Sequence, residues 1–250
     1  MKVYLINLDR HTDRLAHMRE QLAGIAFDRI AAADGSQKPE TKSGLTRSEL
    51  ACLASHRNAW RRFLATADSH ACFLEDDLHL QNGFAALVSD GSWIPEDAHS
   101  VKLDTYLQRV RLGERLSAPD GRQLAALYTR HESSAAYVLT KAGAERYLEL
   151  TTNPSLPADY ALFPKNPRRM GLRIYQLTPA IAIQDHLRAP EEGGLIFPTA
   201  MVDREARARR PLLVRLRREG KRLFTQTADL AEGTYARVVL KAETTTVAVG

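Results

Sequence analysis

The chain has 250 residues, of which 44% are hydrophobic and 26% charged, a composition that predicts one soluble domain with or without an appendage. Its two cysteines, Cys52 and Cys72, are too few for a disulfide framework and predict buried thiols in a reducing compartment. The apolar run at 3–8 is short for a secretory signal, and no stretch reaches the roughly 20 apolar residues of a membrane span. We therefore expect a cytoplasmic protein.

The net charge of +5 is concentrated near the C-terminal end. Between 203 and 222 nine basic residues face three acidic ones, which predicts a main domain at 1–202 and a basic appendage at 203–250. Residues 203–224 form an amphipathic pattern that suits either an anionic membrane surface, with the protein peripheral on the inner membrane, or a solvated helix packed on the domain. Nucleic acid is not the expected partner, because base-stacking aromatic residues are not interleaved with these cations.

Apolar periodicity predicts alternating strands and helices over the first 190 residues. Strands are predicted at 3–8, 27–33, 71–75, 100–103, 135–139, 172–177 and 180–183, and helices at 13–22, 50–66, 84–88 and 141–150. Thr46 and Glu49 are spaced as a capping box before the second helix. The segment 108–122 is predicted as a loop or a hairpin. This alternation predicts an α/β fold with a mostly parallel sheet.

Three consecutive acids, Glu75, Asp76 and Asp77, follow the apolar strand at 71–74. Adjacent carboxylates repel one another unless water or a cation neutralises them. In an extended chain Glu75 and Asp77 point to the same side, where both can reach one hard divalent ion. The alternative is a solvated acidic turn. We favour the ion, because ligands of open α/β sheets bind beyond the carboxyl ends of strands.

Further polar residues follow the first two predicted strands. Asn7, Arg10 and Arg14 come at the end of the first strand, and arginine suits phosphate oxygens, although a helix cap with surface ion pairs would use the same residues. Asp34 and Gly35 close the second strand, where an acid can accept hydrogen bonds from ribose or base groups.

Two more patterns carry reactive side chains. Glu49, Cys52 and His56 share a helix face by their spacing, which suits either a metal cluster or ordinary packing. Asp159 lies in a loop bracketed by prolines and is either a site acid or a surface residue.

Together these segments resemble glycosyltransferase family 25, which contains lipooligosaccharide glycosyltransferases and collagen galactosyltransferases. The resemblance covers roughly residues 1–187. Its motifs are Leu5-Ile6-Asn7-Leu8-Asp9-Arg10 with Asp13-Arg14, Ala33-Asp34-Gly35, Ser48 to His56, Phe73-Leu74-Glu75-Asp76-Asp77 and Pro157-Ala158-Asp159-Tyr160. Arg47 departs from the pattern, because members usually carry glycine there.

The resemblance implies a GT-A fold, with a Rossmann-like half that binds a nucleotide sugar and a second half that binds the acceptor. Glu75 and Asp77 would then hold Mn²⁺ or Mg²⁺ against the leaving diphosphate. Asp76 would face the nucleotide ribose or the sheet. Asp159 would be the base that deprotonates the acceptor, or would only orient the acceptor hydroxyl.

The remaining site residues also come from this resemblance. Arg10 and Arg14 would contact the diphosphate or the base, and Lys102 would line the same cleft. His186 would be either a late metal ligand or a structural histidine.

The sequence therefore predicts a metal-dependent, inverting glycosyltransferase that moves galactose or glucose from a UDP-sugar to a saccharide or glycolipid acceptor of lipopolysaccharide type. Two rivals stay open: a phosphohydrolase that uses the same acids, and a non-catalytic adaptor that uses the basic segment at 203–224.

Overall fold

A computed structural model describes residues 1–37, 44–189, 196–197, 234–237 and 240–250. The strands are β1 (Lys2–Asn7), β2 (Asp28–Ala31), β3 (His70–Glu75), β4 (Leu78–Leu80), β5 (Ser100–Lys102), β6 (Asp104–Thr105), β7 (Arg109–Ser117), β8 (Gln123–Leu127), β9 (Ala136–Thr140), β10 (Ile174–Thr178), β11 (Ala182–Gln184) and β12 (Glu243–Thr246). The α-helices are α1 (Thr12–Gln21), α2 (Arg47–Leu64), α3 (Phe84–Ser89), α4 (Lys141–Leu150) and α5 (Ala158–Leu162). Short 3₁₀ helices lie at Gly35–Gln37, Pro167–Met170 and Asp185–Leu187.

Nine strands form one sheet in the order β12-β7-β8-β10-β5-β9-β3-β1-β2, which confirms the α/β class. The sheet is mixed. The pairs β1–β2, β1–β3 and β5–β10 are parallel, whereas the other five neighbouring pairs are antiparallel. Helices join the parallel strands at the β1 end, because a crossover connection needs about a dozen residues, and a hairpin makes the β7–β8 pair.

Strand β1 sets the position of the site. Its register pairs Ile6 with Ile30 on β2 and with Glu75 on β3, so the carboxyl ends of three parallel strands meet at one edge. Strand β9 runs antiparallel to β3, with Leu74 opposite Ala136. The residues that precede β9 therefore lie at the same edge as those that follow β3.

The core has two layers, one on each face of the sheet. Alternation along β1 sends Tyr4 and Ile6 into the layer that α2 and α4 cover, and Val3 and Leu5 into the layer that contains Met18 of α1. The α2 layer is rich in large aromatic side chains, whose burial contributes roughly 1.5–3 kcal/mol each. These are Trp60, Phe63, Phe73, Tyr137, Tyr147 and Phe163.

The predicted capping box is confirmed at the start of α2. The Thr46 hydroxyl accepts a hydrogen bond from the Glu49 amide at 3.2 Å, and the Glu49 carboxylate accepts one from the Thr46 amide at 2.8 Å. Glu49 is thus committed to the helix terminus. This cap positions the first turn of α2 beside the site.

A second, three-stranded sheet in the order β4-β11-β6 was not predicted from sequence. Its strands have two or three residues each, too few for a periodic pattern to stand out. It carries Gln184 to the acidic triplet, because β11 pairs antiparallel with β4, directly after Asp77.

The predicted boundary at 203 is corrected for the end of the chain. Glu243–Thr246 adds an edge strand to β7, the Val247 side chain is 2% exposed in the core, and its carbonyl accepts a hydrogen bond from Thr105 Oγ1 at 2.7 Å. The C-terminal residues thus belong to the domain and not to an appendage. The β-branched threonines of Glu243–Thr246 favour this extended strand. The predicted basic helix at 203–224 lies outside the described residues.

No helix in the described ranges combines the length and the hydropathy needed to cross a membrane. The segment at 108–122, predicted as a loop or a hairpin, is the start of the β7–β8 hairpin, which continues to Leu127.

Candidate active site

A cleft of about 590 Å³ opens at the edge where β1, β2 and β3 end. The starts of α2 and α5, the residues before β9 and the end of β11 complete its wall. Nine of the eleven predicted site residues line it: Arg10, Arg14, Asp34, Gly35, Glu75, Asp76, Asp77, Asp159 and His186. The tertiary structure therefore gathers motifs that are more than 150 positions apart in the chain.

Asp76 turns toward β1 and α1, away from the other two acids. Its carboxylate accepts hydrogen bonds from Asn7 Nδ2 at 2.7 Å and Arg14 Nη1 at 3.0 Å. Arg14 is 5% exposed, so this carboxylate compensates a buried cation. Asp76 positions Arg14 at the cleft wall.

Asn7, one of the polar residues expected at the site, does not line the cleft. Its Nδ2 also donates to the His11 carbonyl at 3.0 Å, and its Oδ1 accepts from Arg29 Nε at 2.8 Å. The whole amide is used inside the protein at the end of β1. Asn7 supports Asp76 instead.

The negative charge of the Asp77 carboxylate is only weakly compensated by neighbouring groups. Gln184 Nε2 lies 3.3 and 3.4 Å from its two oxygens, and Arg14 Nη1 is 3.8 Å away and already pairs with Asp76. Burial, together with the negative charges of Glu75 and Asp76, raises the pKa of Asp77 to about 7. A cation placed here would relieve this repulsion.

Glu75 is held more firmly than Asp77. Its Oε1 accepts hydrogen bonds from His56 Nε2 at 3.1 Å and Ser134 Oγ at 2.8 Å. Burial alone would raise the pKa of Glu75, but these hydrogen bonds and the nearby Lys102 ammonium bring it below its usual value. The two outer acids therefore differ: Glu75 is stabilised as a carboxylate, whereas Asp77 is not.

Sequence reasoning missed Ser133 and Ser134, which precede β9. Ser133 Oγ lies 2.9 Å from Gln184 Oε1, to which it donates, and Gln184 in turn reaches Asp77. Ser134 reaches Glu75 directly. Only the antiparallel direction of β9 brings these serines to the acids, and no local pattern encodes that direction.

Lys102, which was expected to line the cleft, does not do so. The side chain is fully buried, and Nζ donates to Asp104 Oδ1 and to the Ser133 carbonyl, both at 2.7 Å. Burial lowers its pKa, whereas the charges of Asp104, Asp159 and Glu75 favour the ammonium form. Lys102 thus acts from behind the cleft wall, as a buried counter-charge and an anchor for Ser133.

Asp34 and Arg10 form an ion pair at the cleft mouth. The Asp34 carboxylate also accepts hydrogen bonds from the amide and the hydroxyl of Ser36, and these bonds, with Arg10, lower the pKa of Asp34. Gly35 lies against the first turn of α2, where an added Cβ would come within 3.0 Å of Ser48 Cα. This close approach explains the glycine.

Asp159 and His186 lie in the cleft wall contributed by the C-terminal half. Asp159 is in the first turn of α5 and is 6% exposed. His186 is exposed, with its ring 6.0 Å from the ring of Tyr106. Both therefore border the same space as the acidic triplet.

The predicted face of α2 is divided between two tasks. Glu49 caps the helix, while Cys52, His56 and Glu75 bring one ligand atom each to within 4.8 Å of one another. Both cysteines are free thiols. Cys72 is buried as predicted, but Cys52 is only partly buried and lines the cleft.

Comparisons with known proteins identify the family of this chain. The model of glycosyltransferase family 25 (LPS biosynthesis protein) matches residues 1–162. The lipooligosaccharide biosynthesis protein lex-1 of Haemophilus influenzae is 26% identical over 66% of this chain. The matched region covers 58% of the length of lex-1. The lacto-N-neotetraose biosynthesis glycosyltransferase LgtB of Neisseria meningitidis is 24% identical over 74% of the chain and 75% of its own length.

Among solved structures, a glycosyltransferase involved in glycosylation of the major capsid of PBCV-1 aligns with 77% of this chain and 96% of its own. Its TM-score is 0.41 and its sequence identity is 10%.

Proposed function

Because the chain belongs to glycosyltransferase family 25, we propose that it transfers a hexose, galactose or glucose, from a UDP-sugar to a saccharide acceptor. The acceptor would be a lipopolysaccharide or lipooligosaccharide core. The transfer would invert the anomeric centre and would depend on a divalent cation. The observation that carries the proposal is the under-compensated carboxylate of Asp77, which lies in a cleft together with Arg14 and Asp159.

The fit of Mn²⁺ or Mg²⁺ rests on the donor set and its charge. Asp77 and Glu75 offer the carboxylate oxygens that hard cations prefer, and burial beside Glu75 and Asp76 raises the pKa of Asp77, which a bound cation would lower. His186 borders the same space and would be a third ligand. When bound, the ion would act as a Lewis acid that neutralises charge on the leaving diphosphate.

The protein's own side chains would do the rest on the donor side. Arg14, held by Asp76, and Arg10, held by Asp34, present guanidinium groups at the cleft wall, where they would bind phosphate oxygens. Asp34 and Gly35 would border the nucleoside, and Asp76 would serve it indirectly by positioning Arg14.

Asp159 would take the proton from the acceptor hydroxyl. A base on the face opposite the leaving group is what an inverting transfer requires. Asp159 comes from α5, on a different element from the acidic triplet, and both line one cleft. Lys102 favours the charged carboxylate from behind, since the charge of Asp159 in turn stabilises the ammonium.

A screen of nucleotide sugars tests the proposal. The full chain is incubated with each donor and a lactose-type acceptor, with Mn²⁺, with Mg²⁺ or with excess chelator, and nucleotide release is followed. We expect release with a UDP-hexose that requires both the metal and the acceptor. Phosphate release from simple esters without any acceptor would favour the rival phosphohydrolase. Transfer that does not require a metal would contradict only the proposed dependence on a divalent cation, and not the proposed transferase activity.

We also propose that the protein is cytoplasmic and contacts the anionic inner membrane through residues 203–224. The support is the charge of that segment in the sequence. Each basic residue near such a surface contributes about 1 kcal/mol, so replacing Arg215, Arg217 and Arg218 by glutamine should weaken sedimentation with anionic vesicles by about 10²-fold. Transfer to a soluble acceptor should not change.

A charge-matched variant controls for net charge. Arg19, Arg61 and Arg62 are exposed on the catalytic domain, and replacing these three by glutamine should leave vesicle binding nearly intact. Truncation is less informative, because β12 would be removed from the sheet. Equal loss in both triple variants would mean that vesicle binding reports net charge and not this segment.

A further inference from the structure

A line of buried hydrogen bonds runs from the core to the acidic triplet. Trp60 Nε1 lies 2.8 Å from the Tyr137 hydroxyl, which lies 2.8 Å from His56 Nδ1. His56 Nε2 then lies 3.1 Å from Glu75 Oε1. Trp60 and Tyr137 are completely buried, and His56 is 1% exposed. The series of hydrogen bonds through these three side chains thus ends at one oxygen of the Glu75 carboxylate.

The two ends of this line fix its direction. An indole N–H can only donate, and an ionised carboxylate can only accept. The Tyr137 oxygen therefore accepts from Trp60, and its single hydrogen is available for His56 Nδ1. At a pH where the His56 ring is neutral, it then carries its hydrogen on Nε2 and donates it to Glu75. Every group in the line has a matched partner in this arrangement.

The other tautomer is disfavoured by the same contacts. With hydrogen on Nδ1, the bare Nε2 would face a carboxylate oxygen at 3.1 Å, lone pair against lone pair. The Tyr137 hydrogen would then lack an acceptor among the described residues, which is costly for a buried hydroxyl. The tautomer is thus set by the two partners of His56, Glu75 on one side and Tyr137 on the other.

We propose that Trp60, Tyr137 and His56 act as positioning residues, a one-way relay that holds Oε1 of Glu75 and keeps Oε2 turned to the cleft for a cation. Ser134 donates to the same Oε1 at 2.8 Å, so two donors restrain one oxygen and neither engages the other. The role of Oε2 rests on the proposed function, whereas the direction of the relay does not.

The arrangement that competes with the relay is a metal site that includes Cys52. The Cys52 sulfur, His56 and Glu75 form a compact set with the ligand types that Zn²⁺ accepts. Such a site would need a bare Nε2 on His56, which is the tautomer that the relay excludes. The tautomer of His56 therefore separates the two arrangements.

The first experiment measures that tautomer directly. Long-range ¹H–¹⁵N correlation spectra are recorded on the histidine-labelled full chain at mildly alkaline pH, with His56 assigned by comparison with His56→Gln. We expect hydrogen on Nε2. Hydrogen on Nδ1 would overturn the relay and favour a soft-metal site, and so would loss of the hydrogen from Nε2 on addition of stoichiometric Zn²⁺, because that loss would show direct coordination of His56.

The second experiment measures Mn²⁺ binding without substrates, by electron paramagnetic resonance of free Mn²⁺. Residues that orient a metal ligand typically change affinity by about 10–100-fold. Tyr137→Phe and His56→Leu should weaken binding by that factor. His56→Gln, whose amide N–H can replace Nε2–H, should restore most of it.

Tyr147→Phe is the matched control. Tyr147 is also completely buried, and its hydroxyl bonds to Ser100 Oγ at 2.9 Å and to the Leu162 carbonyl at 3.0 Å, outside the relay. Both phenylalanine variants should lower the melting temperature, but only Tyr137→Phe should weaken Mn²⁺ binding. Equal Mn²⁺ affinity in the two variants would overturn the relay. A wild-type chain that binds no Mn²⁺ would contradict the proposed cation and not the relay, whose direction is tested separately by the tautomer of His56.

Discussion

Replacing Asp77 with asparagine should lower the rate of transfer by about 10³-fold or more while leaving the protein as stable as before or more stable. The rate falls because a cation's stabilisation of the leaving group is worth several kcal/mol. The fold survives because the change removes a carboxylate that Glu75 and Asp76 repel, and an asparagine oxygen still accepts from Gln184. Nucleotide release and thermal melting measure the two effects.

The pH dependence of stability gives a second readout on Asp77. In the cation-free protein its pKa is about 7, above the value near 4 of an aspartate in an unfolded chain. A raised pKa means that the stabilising contribution is complete below about pH 4 and is lost as the pH rises through about 7. The melting temperature should therefore fall over this range, and Asp77→Asn should reduce the slope.

Asp76→Asn is the matched control for Asp77→Asn, since both remove one charge from the same turn. Asp76 pairs with the buried Arg14, so its neutralisation should destabilise the protein by about 3 kcal/mol. Wild-type activity of Asp77→Asn, or full activity of the wild type in excess chelator, would exclude the metal-dependent mechanism.

Replacing Asp159 with asparagine should lower kcat by about 10²-fold or more. The amide keeps the size of the side chain and can still accept a hydrogen bond, but it cannot take a proton from the acceptor. Binding of the nucleotide sugar should change little, because the cation ligands and the arginines lie on other elements. Steady-state kinetics give kcat, and calorimetry with the donor alone gives its affinity.

Asp97→Asn controls for the substitution itself, because Asp97 is exposed and pairs with Tyr175 and Arg173. It should leave kcat unchanged. A loss of donor affinity in Asp159→Asn with an unchanged kcat would place Asp159 in the donor site. A kcat lowered only slightly would mean that it orients the acceptor hydroxyl without accepting its proton.

The local features of this protein could be predicted from the sequence, because the residues that cause them are neighbours in the chain. The alternation in β1, the capping box at Thr46 and Glu49 and the strand that ends at Glu75 all follow from periods of 2 or 3.6 residues. The divergence of Asp76, by contrast, does not follow from alternation, because Asp76 and Asp77 lie in the turn between β3 and β4; Asp76 is held by Asn7 and Arg14. The order of the motifs was enough to predict the family.

Partnerships between distant residues could not be predicted in this way. Asn7 and Lys102 were expected at the cleft, but pairing leaves Asn7 bound to Asp76 and buries Lys102 against Asp104. A polar residue beside a strand end has the same local pattern whether it faces the cleft or the interior. Only the packed neighbours decide between the two, because a buried charge persists only where a partner compensates it.

The direction in which distant strands pair was also determined only by the tertiary structure. The antiparallel course of β9 brings Ser134 to Glu75, and the return of the chain at β12 places Glu243–Thr246 in the main sheet. The sequence by itself determined the longer buried strands, such as β1 and β3, and the acidic triplet that begins at the end of β3. Pairing between strands depends on hydrogen bonds and side-chain contacts across long separations, and so only the folded chain determined which groups hold those acids in place.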